Sequence, residues 1–473
     1  MKTFIRYFGF LLIVSAVFRI VPIMTAMYFG EPMQSFFFVA GISLVMGGGI
    51  VLMADKWPEK KDLGLTLSGG LMLAALSFIV LPLIGAISYL PSMDYNYLNA
   101  AFESVSGFTT TGITVYTDLD VLPKSLLIWR AMTQWIGGIG IVMVFLFIIT
   151  RLHSHDYVRL SEVEGSAQST VSLYEAQGFT EKLGGGLKLS VARVMKIYLG
   201  FTLLGIILLL LSGLSLFEST ALTFTALSTG GFSVTNEFYS SGAVLGVLSL
   251  IMILGSVSFF THNKLIQRKW KEFLTSFEKN VSLILILVTI LFTLLVVPNF
   301  KEVAFMIISA FTTSGYALGP ISALPVFFIF TISLGMLIGG SFASTSGGMK
   351  VYRIYYLFRA IPWSIKKLSS PKKAIIPLKI HGEEVNESKL ANIGIFIFAY
   401  VLILILGVAA FMIFGHQFLD ASFQMISALG TVGLQTMEIA PLNPILKVIL
   451  MLSMLLGRLE IFPVLILLRN LYK

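Results

Sequence analysis

Long apolar stretches separated by short polar connections dominate this chain. A helix needs about 20 apolar residues to cross the hydrocarbon core of a bilayer. Apolar windows bounded by charged residues predict ten such spans, at 7 to 29, 34 to 54, 65 to 89, 125 to 150, 195 to 214, 243 to 262, 280 to 298, 323 to 348, 392 to 415 and 443 to 468. The pattern therefore predicts an all-α, multi-pass membrane protein.

The composition favours the same class. Of the 473 residues, 12% are charged and 56% are hydrophobic, whereas a soluble globular protein carries about 25% charged residues. The absence of cysteine excludes disulfides, thiolate metal sites and cysteine nucleophiles. No set of nucleophile, base and orienting group is evident in the sequence, so we expect a protein that is not an enzyme and that holds no cofactor.

The basic residues lie mainly on one side of the predicted spans. If the N-terminus is cytoplasmic, 27 of the 33 Lys and Arg residues fall in the inner segments 1–6, 55–64, 151–196, 263–279, 349–391 and 469–473. Inner loops of membrane proteins carry such an excess. We therefore expect both termini in the cytoplasm of a bacterial cell, the chain in its inner membrane, and no nucleic-acid partner despite the net charge of +9.

Four of the outer connections contain a second, shorter apolar stretch that is too short to cross the membrane. Such a stretch predicts a re-entrant helix. The loops that follow share one register: Ser106-Gly-Phe-Thr-Thr-Thr-Gly112, Thr225-Ala-Leu-Ser-Thr-Gly-Gly231, Ser309-Ala-Phe-Thr-Thr-Ser-Gly315 and Ser427-Ala-Leu-Gly-Thr-Val-Gly433. A further glycine follows each copy after 24 or 25 residues, at Gly137, Gly255, Gly339 and Gly457.

This repeat predicts about ten transmembrane helices plus four re-entrant pore helices, arranged as four pseudo-symmetric helix, pore loop and helix units around one pore. We place unit 1 at 65–150, unit 2 at 187–265, unit 3 at 278–358 and unit 4 at 390–470. Residues 1–55 form an accessory N-terminal hairpin outside the repeat. One membrane domain is then sufficient for the whole chain.

The repeated loops contain the chemistry that suits a monovalent cation. Irregular backbone at membrane depth is tolerated where it lines a water-filled path, and its carbonyl oxygens can replace the hydration shell of K⁺. Glycine permits the positive φ that such loops require. The candidate K⁺ ligands are Thr110, Thr111 and Gly112, then Thr229, Gly230 and Gly231, then Thr313, Ser314 and Gly315, and finally Thr431, Val432 and Gly433.

The motifs Thr109-Thr-Thr-Gly112, Ser228-Thr-Gly-Gly-Phe232 and Gly457-Arg-Leu-Glu460 give the chain a specific likeness. With the N-terminal hairpin, they resemble the Trk, Ktr and HKT superfamily of potassium transporters, most of all the membrane subunit of bacterial Trk systems. The resemblance implies a pore within one chain, a homodimer in the lipid bilayer, and a cytosolic ring of nucleotide-binding regulatory subunits. Gly430 departs from the hydroxyl residues that the other three loops carry at that position.

Segment 335–350 interrupts the eighth span with a run of glycine and hydroxyl residues. The resemblance implies that this segment is an intramembrane gating loop. Its candidate residues are Gly339, Gly340, Ser341, Ser344, Thr345, Ser346, Gly347 and Gly348. Arg458 is a further candidate, because it lies 25 residues after Gly433 and Gly340 lies 25 residues after Gly315. The alternative is that Arg458 is a structural residue that snorkels to the membrane surface or pairs with Glu460.

The predicted function is potassium uptake through a gated, selective pore. The alternative is a sodium- or proton-coupled cation symporter. Such transporters usually show inverted repeats and membrane carboxylates, whereas these repeats run parallel and Glu460 is the one acidic residue in the predicted spans.

Overall fold

The computed structural model describes residues 2–56, 67–152, 186–371, 376–380 and 383–471. Its helices are α1 (Lys2–Phe18), α2 (Ile20–Phe29), α3 (Gln34–Asp55), α4 (Leu67–Gly85), α5 (Tyr97–Phe108), α6 (Lys124–Leu152), α7 (Gly186–Leu211), α8 (Leu216–Leu227), α9 (Gly242–Ser256), α10 (Phe259–Ile266), α11 (Trp270–Leu274), α12 (Phe277–Leu294), α13 (Phe300–Phe311), α14 (Val326–Ile338), α15 (Val351–Leu368), α16 (Glu387–Ile413), α17 (Phe418–Leu429), α18 (Pro444–Arg458) and α19 (Phe462–Leu471). Strands β1 (Leu378–Ile380) and β2 (Glu383–Val385) form an antiparallel pair after α15. The inner segments 55–64 and 151–196 lie largely outside the described residues.

The membrane-spanning helices confirm the predicted class of a multi-pass helical protein. Within the described residues, seven helical stretches are long and apolar enough to cross a membrane, and two bent pairs pass the same test when each is taken as one span. Each bent pair turns sharply within one of the predicted spans, 243 to 262 and 443 to 468. Helices α9 and α10 meet at 100°, and α18 and α19 meet at 107°.

The eighth predicted span is also divided, as its polar run indicates. Helix α14 ends at Ile338, and the next helix begins at Val351. Gly339 has a φ of +70° and Gly348 a φ of +74°, a region that glycine adopts readily and other residues avoid. Loop 339–350 therefore leaves α14 through a glycine, and it enters α15 through Lys350, which also has a positive φ, of +74°.

The accessory hairpin packs through a close crossing of α1 and α3. A Cβ atom built on Gly9 would lie 2.8 Å from the carbonyl oxygen of Gly47, and one on Gly47 would lie 2.7 Å from that of Gly9. Arg19 divides α1 from α2, and its buried guanidinium lies 4.8 Å from the Trp129 ring of α6. This contact joins the hairpin to unit 1.

Four short helices of 12 residues each, α5, α8, α13 and α17, occupy the predicted re-entrant positions. At 1.5 Å per residue each is about 18 Å long, too short to cross a bilayer. Asn96, Ser215 and Asn299 cap the first three with side-chain hydrogen bonds. A longer apolar helix or bent pair stands on each side of the short helix in units 1, 2 and 4. In unit 3 the second flank is the 13-residue α14, which loop 339–350 separates from α15. The fourfold unit predicted from the sequence therefore recurs in the fold, with its third copy interrupted.

The glycines that follow each loop allow close helix packing. A Cβ on Gly137, Gly255 or Gly457 would overlap the carbonyl oxygen of Phe108, Leu227 or Leu429, the last residues of the short helices in units 1, 2 and 4. In unit 3, Gly339 instead faces the backbone of Gly347. Gly137, Gly255 and Gly457 make the same contact and therefore occupy equivalent positions in their units. Arg458 follows Gly457, so its equivalent in unit 1 is Gly138 and not Gly137, which a count of 25 residues from the last glycine of each repeated loop would give.

Candidate ion pathway

The four loops share one backbone conformation. In unit 1 the N–H of Thr110 donates to the carbonyl oxygen of Gly107 at 3.0 Å, and that of Thr111 donates to Ser106 at 2.9 Å. This pair of bonds is a Schellman cap, in which the residue after the helix is left-handed. The same two bonds occur from Thr229 and Gly230, from Thr313 and Ser314, and from Thr431 and Val432.

Threonine occupies the left-handed position in every loop, with φ of +53°, +54°, +57° and +48° for Thr110, Thr229, Thr313 and Thr431. Left-handed backbone costs about 1 to 2 kcal/mol for a residue with a Cβ atom, and a β-branched residue there is an outlier. Glycine would avoid that cost. Four strained threonines therefore point to a requirement for the side-chain hydroxyl.

The loops meet in a closed ring. A Cβ atom on Gly112 would overlap the carbonyl oxygen of Gly230; the same holds for Gly231 and Ser314, for Gly315 and Val432, and for Gly433 and Thr111. We number the loops 1 to 4 by unit, and we call Gly112, Gly231, Gly315 and Gly433, which end them, the terminal glycines. Loop 1 thus touches loop 2, loop 2 touches loop 3, loop 3 touches loop 4, and loop 4 touches loop 1. All four terminal glycines have positive φ, between +75° and +109°. The structure brings all twelve candidate ligands into this ring.

The hydroxyl groups of the ring are not equivalent. Among the described residues, Thr110 Oγ1 and Thr431 Oγ1 are buried without a hydrogen-bond partner. Thr229 Oγ1 donates to the carbonyl oxygen of Ser228 at 2.7 Å, and Thr313 Oγ1 accepts from the N–H of Gly347 at 2.7 Å. Two oxygens are therefore free for another ligand, and one is bound to loop 339–350.

Loop 339–350 contacts the ring through three units. The N–H of Gly347 donates to loop 3, and that of Gly348 donates to the carbonyl oxygen of Gly430 in loop 4 at 3.1 Å. Thr345 Oγ1 lies 2.9 Å from the carbonyl oxygen of Leu227, at the end of α8, and 2.8 Å from that of Gly255. The loop is buried and fixed at the carbonyl ends of the short helices.

Arg458 binds this loop directly. Its Nη1 donates to the carbonyl oxygen of Thr345 and its Nη2 to that of Gly137 at 3.0 Å. Glu460 pairs instead with Arg353, so the Glu460-paired alternative for Arg458 is not the arrangement found. Arg458 therefore links loop 339–350 to unit 1.

Sequence reasoning missed two buried basic residues, one at the end of loop 339–350 and one in the first turn of α15. Lys350, 3% exposed, donates to the carbonyl oxygen of Ser346, and Arg353 is fully buried against Glu460. Both lie in segment 349–391, which the distribution of Lys and Arg assigns to the cytoplasmic surface. Their burial was therefore not expected. A signal was present in Glu460, because an isolated membrane carboxylate needs a partner.

Polar braces on the ring were also missed. Gln134 Nε2 donates to the carbonyl oxygen of Gly230 at 2.7 Å, and its Oε1 accepts from the N–H of Phe232 at 3.1 Å. Tyr316 shares a hydrogen bond with Thr225 of α8. Glu103, the seventh residue of α5, pairs with Arg130 of α6.

In the described part of the chain, no three His, Asp or Glu side chains group in a way that suits a metal ion. The ring offers backbone carbonyls and hydroxyls, the oxygen ligands that suit a hard cation. Together with the four short helices, this neutral oxygen ring belongs to a membrane protein that transports cations.

Comparison with known proteins agrees with that class. The sequence model of the TrkH family, described as a cation transport protein, matches residues 49–301 and 296–472. The chain belongs to this family, and it is a transport protein rather than an enzyme.

Individual relatives align over almost the whole chain. An uncharacterized cation transporter of Methanocaldococcus jannaschii is 29% identical over 98% of this chain and 94% of its own. The Trk system potassium uptake protein TrkH of Salmonella typhimurium is 27% identical over 98% and 97%. The crystal structure of the potassium transporter TrkH from Vibrio parahaemolyticus matches with a TM-score of 0.83 and 25% identity, over 99% of this chain and 98% of that one.

Proposed function

We propose that this chain carries K⁺ across the membrane through the ring of four loops. The closed ring of carbonyl oxygens and positive-φ glycines supports this proposal most directly. Relatives named as potassium uptake proteins agree with it. None of the twelve ring residues is charged, and a neutral oxygen ring favours a weakly hydrated monovalent cation over a divalent one.

The driving force for such a pore is the membrane potential. An inside-negative potential of about 100 mV supplies about 2.3 kcal/mol per charge, which corresponds to roughly 50-fold accumulation of K⁺. The short helices direct their carbonyl ends, which carry partial negative charge, toward the ring. No chemical step or coupled ion is then required.

In this proposal loop 339–350 and Arg458 form the gate. The loop is hydrogen-bonded across three units, and Arg458 places a buried positive charge against it. A fixed positive charge repels an arriving cation. A segment rich in glycine and serine can move aside with little side-chain obstruction, because glycine tolerates many backbone conformations.

The wider setting belongs to the same proposal. The chain lies in a bacterial inner membrane as units 1 to 4 around one pore, with the accessory hairpin 1–55 beside them and both termini cytoplasmic. It acts as a homodimer under a cytosolic ring of nucleotide-binding subunits. The excess of Lys and Arg in the inner segments supports the orientation and offers a docking face for such a partner.

Ion flux into vesicles that contain this chain alone tests the proposal. With the potential clamped at an inside-negative value, we expect K⁺ and Rb⁺ to enter much faster than Na⁺. With the potential at zero and equal K⁺ on both sides, an imposed Na⁺ or H⁺ gradient should move no K⁺. Net K⁺ movement under those gradients would instead support a coupled symporter, and equal entry of Na⁺ and K⁺ would contradict a potassium filter.

A further inference from the structure

A buried ion pair stands behind loop 1. Glu103 of α5 and Arg130 of α6 are 0% and 1% exposed as side chains, and Arg130 Nη2 lies 2.8 Å from Glu103 Oε1. Arg130 Nε also donates to Glu103 Oε1 at 2.8 Å. Desolvation of two charges is costly, and the attraction between them often does no more than offset that cost. The pair therefore needs an explanation other than stability.

The pair binds the chain just beyond two of the four terminal glycines. Both carboxylate oxygens of Glu103 accept from Thr114 Oγ1 at 3.0 Å, and Oε2 also accepts from the N–H of Val115 at 3.0 Å. Arg130 Nη1 donates to the carbonyl oxygen of Ser233 at 3.1 Å. Thr114 follows Gly112 by two residues, and Ser233 follows Gly231 by two.

The guanidinium also packs against aromatic rings in the chain that follows loops 1 and 2. Its Cζ lies 4.1 Å from the centre of the Phe232 ring and 5.4 Å from that of Tyr116. The planar fork of arginine can bind a carboxylate, a carbonyl and a hydroxyl at once, as it does here with Glu103, Ser233 and Thr114. One side chain thereby fixes the separation of loops 1 and 2.

The repeat shows that a unit folds without this pair. In unit 1, Glu103 lies nine residues before the terminal glycine Gly112, and Arg130 lies seven residues before Gly137. The same two positions can be read in the other units. The corresponding residues are Leu222 and Leu248 in unit 2, Met306 and Ile332 in unit 3, and Gln424 and Leu450 in unit 4. All six side chains are fully buried. The fold accepts an apolar pair at this place, so the charges of unit 1 serve another purpose.

We propose that Glu103 and Arg130 are positioning residues that set the preference for K⁺ over Na⁺. They hold loops 1 and 2 at a fixed distance, so the ring cannot contract around the smaller ion. Neither residue touches the ion itself. The inference rests on the proposed function, since it assumes that the ring is the potassium filter.

The test replaces both charges with the residues of unit 2, in the double variant Glu103→Leu, Arg130→Leu. Removing both partners avoids an unpaired buried charge. We expect the K⁺ to Na⁺ flux ratio in vesicles to fall about tenfold in protein that still inserts. The thermal midpoint should fall moderately, because the N–H of Val115 and the carbonyl oxygen of Ser233 lose their partners. The matched control is Leu222→Met, Leu248→Ile, which gives unit 2 the residues of unit 3 and should leave the ratio unchanged.

A purely structural pair predicts a different result. It would lower the thermal midpoint and the flux of both ions together, with an unchanged ratio, and that outcome would overturn the inference. If the double variant fails to insert, Arg130→Lys supplies the readout, because lysine keeps the charge but cannot bridge Glu103 and Ser233. An unchanged ratio in inserted Arg130→Lys protein would overturn the inference as well.

The control arm separates this inference from the proposed function. The filter itself would be refuted if the unmodified chain conducted Na⁺ and K⁺ equally fast. It would also be refuted if Gly231→Ser left the K⁺ to Na⁺ flux ratio unchanged. A selective chain that responds to Gly231→Ser but not to the double variant would refute the positioning pair alone.

Discussion

Thr345 is the residue through which loop 339–350 is most directly fixed. Its hydroxyl lies within hydrogen-bond distance of two carbonyl oxygens, its N–H donates to Gly255 at 3.1 Å, and its own carbonyl accepts from Arg458. Substitution Thr345→Val keeps the shape of the side chain and removes the hydroxyl donor. If the loop closes the pathway, this change should favour the open state.

The magnitude follows from the bonds that are lost. A hydrogen bond contributes about 0.5 to 1.5 kcal/mol net, and a buried acceptor left without a donor costs about 1 to 3 kcal/mol. Thr345→Val should therefore destabilise the closed loop by about 1 to 3 kcal/mol. Since 1.4 kcal/mol is a tenfold change in an equilibrium, K⁺ flux through a mostly closed pore should rise by roughly 5-fold to 150-fold.

The assay is K⁺ flux into vesicles at fixed potential, normalised to inserted protein. Thr345→Ser is the matched control, because it keeps the hydroxyl and should change flux less than twofold. A Thr345→Val chain that inserts normally and conducts no faster than the unmodified chain would refute the view that these bonds hold the pathway closed.

The remaining predictions concern the gate, the partner and the helix packing. Deletion of several residues within 341–347 should raise K⁺ flux strongly, and Arg458→Ala should raise it less; lower flux in both variants, with normal insertion, would remove the gate from this place. The purified chain should bind neither ATP nor NAD at micromolar concentration, as measured by calorimetry, because nucleotide sensing is assigned to a separate subunit. Gly255→Ala should lower the free energy of unfolding by about 1 to 3 kcal/mol, because its methyl group would overpack against Leu227. Gly246→Ala in the same helix is the control, since a Cβ there has no neighbour within 4 Å and should not destabilise the protein. A thermal unfolding assay compares the two variants.

The sequence predicts the ring well because its geometry restricts residue type. Positive φ together with close contact between loops requires glycine at the end of each loop, and the strained position two residues earlier carries threonine in every copy. Those demands recur in every unit at the same spacing. Repetition is what turns a weak Thr-x-Gly motif into a prediction of four loops around one axis.

The braces behind the ring could not be predicted in the same way. Glu103 and Arg130 are 27 residues apart in the chain, and Arg353 and Glu460 are 107 apart. Their pairing depends on how the units surround the axis, which a pattern along the chain does not contain. Neither pair recurs in the repeat, so no register pointed to it.

The bends escaped prediction for a different reason. Hydropathy averaged over a window remains high across the bend at Val257, and also across the bend at Leu459 despite Arg458 and Glu460, so each bent pair is predicted as one span. The one-residue offset of Arg458 has a related cause. Counting from the terminal glycines pairs it with Gly137, whereas packing against the short helices pairs Gly137 with Gly457.

The ratio of K⁺ to Na⁺ flux after substitution of the terminal glycines tests the central claim most directly. Each of Gly112→Ser, Gly231→Ser, Gly315→Ser and Gly433→Ser would force a side chain with positive φ against the carbonyl of the next loop. If the four loops form one filter, each variant should insert and lose either potassium selectivity or uptake. Four inserted variants with an unchanged K⁺ to Na⁺ ratio and undiminished uptake would contradict the filter.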